Sequence, residues 1–332
     1  MHLIHEMIQG HVAVAWIAMA VAFFVLAKSA DLFVDSAVAI ADRLKVPKLI
    51  IGVFLVSLAT TAPELSVSLN AALRGNPEMA LGNAIGSVIV DDTIALGLAG
   101  VLAAAPILII PNVLRSAALF LVGVQGLCFF FVYSTGSLRR WEGAVLVALF
   151  FAYTTYIFIQ HKRGRYQGDL DIGAIEKAKD LSLIKTALLF VLGVVGVVLS
   201  GDLVVVSAMT IARSFAIPET VIALTLVAFG TSVPEIATCV TAARKGQGAL
   251  AVGNILGADI MNICWIAGAS AIANELVIDT REITFMFPAM FIVVGTMLIM
   301  LFRGYRLTRA KGAVLLALYA VFAASFFFIY GG

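Results

Sequence analysis

Long apolar runs separated by short polar breaks make up nearly the whole chain. Ten such stretches can be marked, near 12–40, 47–73, 79–108, 112–133, 141–160, 183–211, 219–243, 247–272, 284–302 and 312–330. Each is close to or beyond the roughly 20 residues that a helix needs to cross a bilayer core. Strand-type alternation is absent from them. A backbone in lipid must satisfy its own hydrogen bonds, so the runs predict helices. One sizeable polar stretch, His161 to Asp180, leaves five spans on either side. The expected fold is an all-α polytopic membrane protein with ten transmembrane helices. Residues 1–160 would form a first five-helix unit, 161–180 a linker loop, and 181–332 a second five-helix unit.

Composition sharpens this picture. Of 332 residues, 62% are apolar and 13% charged, with a mean hydropathy of +1.06. A soluble domain usually carries about 25% charged residues. These values exclude a soluble globular enzyme, a disordered chain and a nucleic-acid binder, and they make the lipid bilayer the expected surroundings. The net charge of +2 says little, because in a membrane protein the charges are sorted by side. With the N-terminus placed outside, sixteen Lys and Arg residues fall in the inner loops. Only Arg74, Arg139, Arg140, Arg213 and Arg281 fall outside, and only Lys28 lies within a span. This bias predicts a cell-membrane protein with both termini extracytoplasmic and the 161–180 loop cytoplasmic. The opening MHLIHEMIQG lacks the charged n-region and cleavage site of a signal peptide. Cys128, Cys239 and Cys264 sit in apolar runs without paired spacing and read as small buried residues. The sequence assigns no oligomeric state.

Sliding the chain on itself by 171 residues brings out an internal repeat. Asp31 meets Asp202, Pro47 meets Pro218 and Thr60 meets Thr231. Pro63-Glu64 meets Pro234-Glu235, Gly82-Asn83 meets Gly253-Asn254, and Gly86 meets Gly257. Five spans per unit is an odd number, so the second unit is expected to lie upside down relative to the first. Inverted repeats of this kind mark secondary transporters, with the site at the midplane where the halves meet.

Two segments in each half carry polar groups at membrane depth. The second span holds Ser57, Thr60, Thr61, Pro63 and Glu64; its partner holds Ala228, Thr231, Ser232, Pro234 and Glu235. A mid-helix proline should free carbonyls near Ala59 and Gly230. Thr60 and Glu64, at i and i+4, should share a helix face. Hydroxyls, carbonyls and carboxylates are hard oxygen ligands of the kind that Ca²⁺ and Na⁺ prefer. The third span adds Asn83, Ser87 and Asp91 as one polar stripe, and the eighth adds Asn254, Ala258 and Asn262, with Asp259 about 60° round from Asn262. Asp92, about 100° from Asp91, is expected to face elsewhere.

The bland readings differ by residue type. An isolated Thr, Ser or Asn in a membrane helix usually serves helix–helix contact. A carboxylate at bilayer depth costs roughly 2.5–3.5 kcal/mol even on the lenient insertion scale and usually serves a pathway or site. Glu64 and Glu235, matched across the repeat, are the strongest candidates, followed by Asp91. Asp259 is balanced between a site role and pairing with a neighbouring span. Asp31 and Asp202 read as boundary anchors, and Lys28 as snorkelling or pairing with Asp31. His2, His5 and His11 crowd a terminus and do not read as a metal site.

These residues resemble the calcium/cation antiporter superfamily, in particular its prokaryotic sodium/calcium exchanger-like members. The family pattern pairs a G-T-S-x-P-E run with a G-N-x-x-G-S-N run in each half. Gly230-Thr231-Ser232-Val233-Pro234-Glu235 matches the first fully, and Ala59-Thr60-Thr61-Ala62-Pro63-Glu64 with two conservative changes. Gly82-Asn83-Ala84-Ile85-Gly86-Ser87 and Gly253-Asn254-Ile255-Leu256-Gly257 match the second. The resemblance implies an ion-binding core of the second, third, seventh and eighth helices, with long sloping first and sixth helices sliding against it. It implies that Glu64 and Glu235 carry most of the coordination. Thr60, Thr61, Thr231, Ser232, Ser87 and the carbonyls of Ser57 and Ala228 would help, and the positions of Asp91 and Asn262 complete the set. It implies no cofactor, only bound transported Ca²⁺ and Na⁺ or H⁺. The chain departs from the pattern in carrying Asp91 first and Asn262 second, 27 residues after each Glu, where relatives often have the reverse. Ala258 replaces a Ser, Asp259 an Asn, and Val88 another Asn.

The expected function is exchange of Ca²⁺, or a related cation, for Na⁺ by alternating access at a midplane carboxylate site. A proton-coupled antiporter of the same fold is the nearest alternative. An intramembrane enzyme would need a nucleophile–base pair or a motif such as H-E-x-x-H, which does not occur. A channel fits poorly, because the polar groups cluster at one depth.

Overall fold

The structure, a computed structural model, describes residues 8, 11–163, 182–215 and 227–330. His2, His5, Pro218 and most of the 161–180 loop therefore lie outside the described residues. We number the helices α1 (Val12–Leu44), α2 (48–60), α3 (Ala62–Leu73), α4 (Pro77–Leu102), α5 (Pro111–Thr135) and α6 (Arg140–Lys162), then α7 (Leu183–Ser214), α8 (Val227–Thr231), α9 (Val233–Arg244), α10 (Gly248–Ala273), α11 (Thr280–Phe302) and α12 (Arg309–Tyr330). Eight of these are long and apolar enough to cross a membrane by themselves. Residues 52–60 and α3 make a further bent pair, broken by 55°. The expected span near 219–243 is described only from residue 227.

Three local differences from the sequence reading have physical causes. The stretch 79–108 is not helical throughout: α4 stops at Leu102 and Ile107–Leu108 form a short strand. Pro106 lacks an N–H and disfavours helical geometry in the residue before it. Among the described residues strands do occur, as four two-residue pieces: β1 (Ile107–Leu108), β2 (Ser137–Leu138), β3 (Leu276–Val277) and β4 (Arg306–Leu307). Pro63 and Pro234 do not kink continuous helices. Each sits in the first turn of a new helix, α3 or α9, where its missing N–H costs nothing.

Layering follows from apolar coverage. α4 and α10 are almost wholly enclosed, whereas α1 and α12 present most of their apolar surface outward. That outward surface includes Trp16, Ile17, Phe24 and Phe328, as a lipid-facing shell requires. The 33-residue α1 and 32-residue α7 pack along each other. At about 1.5 Å per residue each runs close to 50 Å, well beyond a core of about 30 Å, which leaves length to slope across it. They cross tightly: a Cβ on Gly193 would sit 2.8 Å from the backbone of Phe33, and one on Gly196 2.2 Å from Ser29 Oγ.

The chain segments before and after the 161–180 loop are laced together reciprocally. β1 pairs antiparallel with β4, and β2 with β3. α4 touches α12 at Gly97 and Gly312, and α10 touches α6 at Gly268 and Gly143. Under the 171-residue offset of the sequence, the α4–α12 contact corresponds to the α10–α6 contact.

At one end, Lys245 caps α9 and reaches α1. Its Nζ lies 3.1 Å from Asp31 Oδ1 and 2.7 Å from Asp35 Oδ1. Asp31 is thus claimed by Lys245, while Lys28 lies over the Phe24 ring at 6.0 Å.

Candidate functional site

The break between α2 and α3 falls inside the polar run. Thr61 has φ −79° and ψ 6°, outside helical geometry, and Ser232 repeats this at φ −81° and ψ 3°. Thr60 and Glu64 therefore end one helix and begin another. The shared helix face expected from their i, i+4 spacing is replaced by an arrangement in which each looks across to the other half. The Thr60 hydroxyl faces Glu235, and the Thr231 hydroxyl faces Glu64.

The same exchange orders the asparagines. Thr60 Oγ1 donates to Asn254 Oδ1 at 3.3 Å, and Thr231 Oγ1 donates to Asn83 Oδ1 at 3.3 Å. Asn83 Nδ2 donates to Ser68 Oγ at 3.0 Å, and Asn254 Nδ2 to Thr238 Oγ1 at 3.2 Å. Both amides are committed to these bonds, which hold the broken helices onto α4 and α10. Ser68 and Thr238 were not among the expected site residues. Their signal was present: each lies one turn after a motif glutamate, on the same face.

Ser87 Oγ lies 3.5 Å from Thr231 Oγ1, and Ser232 is fully buried beside Asp91. The Ser57 carbonyl already accepts from Thr61 N at 2.9 Å and Thr61 Oγ1 at 2.8 Å. The backbone of Ala228 lies in α8, one turn before the Ser232 break.

Asp91 and Asn262 each open a wide helical turn with i→i+5 bonding, Asp91–Ala95 in α4 and Asn262–Ala267 in α10. Such turns are rare and recur at functional sites. The wider turn also changes where Asp92 points. Instead of facing away, it is fully buried and adjoins Asp259 from α10. The 100° step of a regular helix does not apply once the bonding changes.

The result is a set of five buried carboxylates: Glu64, Glu235, Asp91, Asp92 and Asp259. Glu64, Glu235 and Asp91 act on one another, and Asp259 on Asp91 and Asp92. None of their ten oxygens has a hydrogen-bond partner. Among the described residues, no Lys, Arg or His forms an ion pair with any of them. Burying even one unpaired carboxylate costs several kcal/mol, so a set of five calls for positive charge from outside the chain. Among the described residues no three His, Cys, Asp or Glu side chains gather closely enough to hold a metal ion by themselves. Any ion here would draw on hydroxyl and amide oxygens as well.

Comparison with known proteins points the same way. A family profile described as sodium/calcium exchanger protein matches residues 14–159 and 185–328. The sodium/calcium exchanger MaX1 of Methanosarcina acetivorans is 28% identical over 92% of this chain and 96% of its own length. The inner membrane protein YrbG of Escherichia coli is 33% identical over 76% of this chain and 77% of its own. Among solved structures, the sodium-calcium exchanger NCX_Mj soaked with 10 mM Na⁺ superposes with a TM-score of 0.79 at 26% identity, covering 95% of this chain and 99% of that one. With paired motifs, buried carboxylates and membrane helices all accounted for together, the chain belongs to the sodium/calcium exchanger protein family and is a multi-pass membrane cation antiporter, not an enzyme.

Proposed function

We propose that this antiporter exchanges Ca²⁺ for Na⁺ by alternating access at a midplane site built around Glu64, Glu235 and Asp91. The observation that carries this reading is their complete burial without hydrogen-bond or cationic partner. Carboxylate oxygens with nearby hydroxyls from Thr60, Thr61, Thr231, Ser232 and Ser87 form a hard-oxygen donor set suited to these ions. Asn262 and the carbonyls of Ser57 and Ala228 complete it, while Asn83 and Asn254 hold the hydroxyl donors in place. Because the same carboxylates serve both ions, Ca²⁺ and Na⁺ compete, and competition at one site is what couples their opposing flows. The names of MaX1 and NCX_Mj as sodium/calcium exchangers support this ion pair.

The test is ⁴⁵Ca²⁺ uptake into proteoliposomes with Na⁺ and H⁺ gradients imposed separately. We expect uptake driven by an outward Na⁺ gradient and abolished when Na⁺ is replaced by choline. Uptake driven equally by a pH gradient without Na⁺ would instead establish the proton-coupled antiporter.

We further infer ten spans in two inverted five-helix units, 1–160 and 181–332, with both termini outside and the 161–180 linker cytoplasmic. The reciprocal β1–β4 and β2–β3 pairs and the α4–α12 and α10–α6 contacts support the inversion. The native cysteines are all buried, so introduced ones can be read against low background. In intact cells, a cysteine at Gln167 should resist an impermeant thiol reagent and one at Gly332 should react. The opposite pattern would reverse the orientation.

A further inference from the structure

The two strand pairs are counterparts under the 171-residue offset, yet their charges differ. Around β2–β3, residues 136–142 and 274–282 carry Arg139, Arg140 and Arg281 against Glu142, Glu275, Asp279 and Glu282. Around β1–β4, residues 103–115 and 303–311 carry Arg115, Arg303, Arg306, Arg309 and Lys311 and no acid. No Asp or Glu occurs anywhere in 93–141 or 283–332. Among the described residues none of the five cations forms an ion pair. The fold does not require this imbalance, since its twin corner closes with charges of both signs. Membrane orientation does not require it either. Orientation follows the count of Lys and Arg, and acids contribute little to it, so acids could stand here without changing it.

A built turn carries the cluster. Lys311 Nζ donates to the carbonyls of Met300, Arg303 and Arg306 at 2.5, 2.7 and 2.6 Å, which closes the end of α11. Within this turn Gly304 and Tyr305 both take positive φ, 86° and 48°. That geometry is strained in an aromatic residue, and three contacts hold Tyr305 in it. Ile109 N donates to its carbonyl at 2.9 Å, Arg115 Nη2 donates to its hydroxyl at 2.9 Å, and the Arg115 guanidinium lies 5.8 Å over its ring. Arg309 is tied to the Ala103 carbonyl at 3.3 Å. Arg303 and Arg306 are different: their guanidiniums are exposed and make no hydrogen bond among the described residues. Arg115, also exposed, keeps further N–H groups, and the Tyr305 hydroxyl, having accepted from Arg115, still has its own O–H to donate.

These donors stand where α5, α11 and α12 reach the end of their membrane spans. Leu119 lies one turn into α5 from Arg115, and Ile299 one turn into α11 from Arg303. Both are strongly exposed apolar residues. A group bound at the arginines would therefore have apolar surface running away from it along two helices. That is the layout of a phospholipid, with a charged head and two tails. Guanidinium matches phosphate bidentately, and basic pockets between membrane helices suit anionic headgroups.

We propose that Arg115, Arg303, Arg306 and the Tyr305 hydroxyl bind the phosphate of one anionic phospholipid, whose tails lie along Leu119 and Ile299. The site shares no residue with the buried carboxylates, so it stands or falls independently of the transported ions.

The experiment titrates phosphatidylglycerol into the purified full-length protein in detergent and counts bound lipid by native mass spectrometry. Phosphatidylcholine and inorganic phosphate are run in parallel. Wild type should hold one phosphatidylglycerol more tightly than any phosphatidylcholine, and inorganic phosphate should not displace it. Arg303→Gln/Arg306→Gln should weaken that lipid by about 30-fold. Arg306→Gln alone, the milder change should the pair not fold, should weaken it about fivefold. Arg74→Gln/Arg140→Gln removes the same charge from exposed positions elsewhere and should leave it unchanged. Equal affinity in a folded double variant, or equal retention of phosphatidylcholine by wild type, would overturn the site. Displacement by inorganic phosphate would overturn the lipid as its occupant.

Discussion

Glu64→Gln and Glu235→Gln should each abolish exchange while leaving a folded protein in the membrane. Gln keeps the size and removes the charge. Each glutamate is fully buried, acts on the other acidic groups and has a hydroxyl from the opposite half in front of it. Removing one member of a buried charge contact costs about 2–5 kcal/mol, and each 1.4 kcal/mol is tenfold in affinity. Ca²⁺ affinity should therefore fall by about 30-fold at least, with transport near the empty-liposome background. Stability without ions should hold or rise slightly, because an uncompensated buried charge is gone. Proteoliposome flux and a thermal melt on the same preparations check both halves. Near-wild-type flux in either variant would remove that glutamate from the site.

The second large effect is expected at Gly257, two residues before Asp259 on α10 and itself without a side chain. A Cβ there would lie 2.2 Å from the Val53 carbonyl oxygen, 2.6 Å from Val53 Cα and 2.6 Å from Ser57 Oγ. Two of these are backbone atoms of α2 and cannot swing aside. Gly257→Ala must push α2 away from α10, and overpacking of this kind costs about 1–3 kcal/mol. The shift also carries Thr60 away from Asn254, so transport should fall with stability. Gly82→Ala is the control. Nothing lies within 4 Å of its Cβ position, and Gly in a helix is less favourable than Ala by about 0.5–1 kcal/mol. It should melt at the same temperature or slightly higher. Equal melting of Gly257→Ala and wild type would mean that the α2–α10 contact is looser than described.

Much of this fold is legible in the residues because lipid permits few backbone solutions. The long runs 112–133 and 141–160 became α5 and α6 with shifts of one or two residues at their ends. The paired Thr-x-x-Pro-Glu runs single out two segments whose expected hydroxyl and carboxylate side chains, Ser57, Thr60, Thr61, Glu64, Thr231, Ser232 and Glu235, are buried. The break at Thr61 and Ser232 was harder to see. Proline explains only why a helix can begin there, not why the preceding one stops two residues earlier. The inward position of Asp92 was hidden for a different reason. A wheel drawn at 100° per residue assumes i→i+4 bonding, and no local signature announces the change at Asp91. The Lys245 bridge to Asp31 and Asp35 joins positions more than 200 residues apart, and periodicity carries no information at that range.

The two small strand pairs bear on how the protein is made. β1 emerges about 200 residues before β4, and β2 well before β3. During synthesis the first half thus enters the membrane with two strand edges unsatisfied, and with Gly97 and Gly143 waiting for partners not yet translated. Contacts this distant in sequence form late, because loop closure must be met before they stabilise anything. The first half alone would then be an assembly intermediate with open edges and grooves, prone to pairing with a second unfinished chain. Co-expressing the two halves as separate chains should restore assembly, since the lacing between them is carried by these contacts rather than by the peptide that links them.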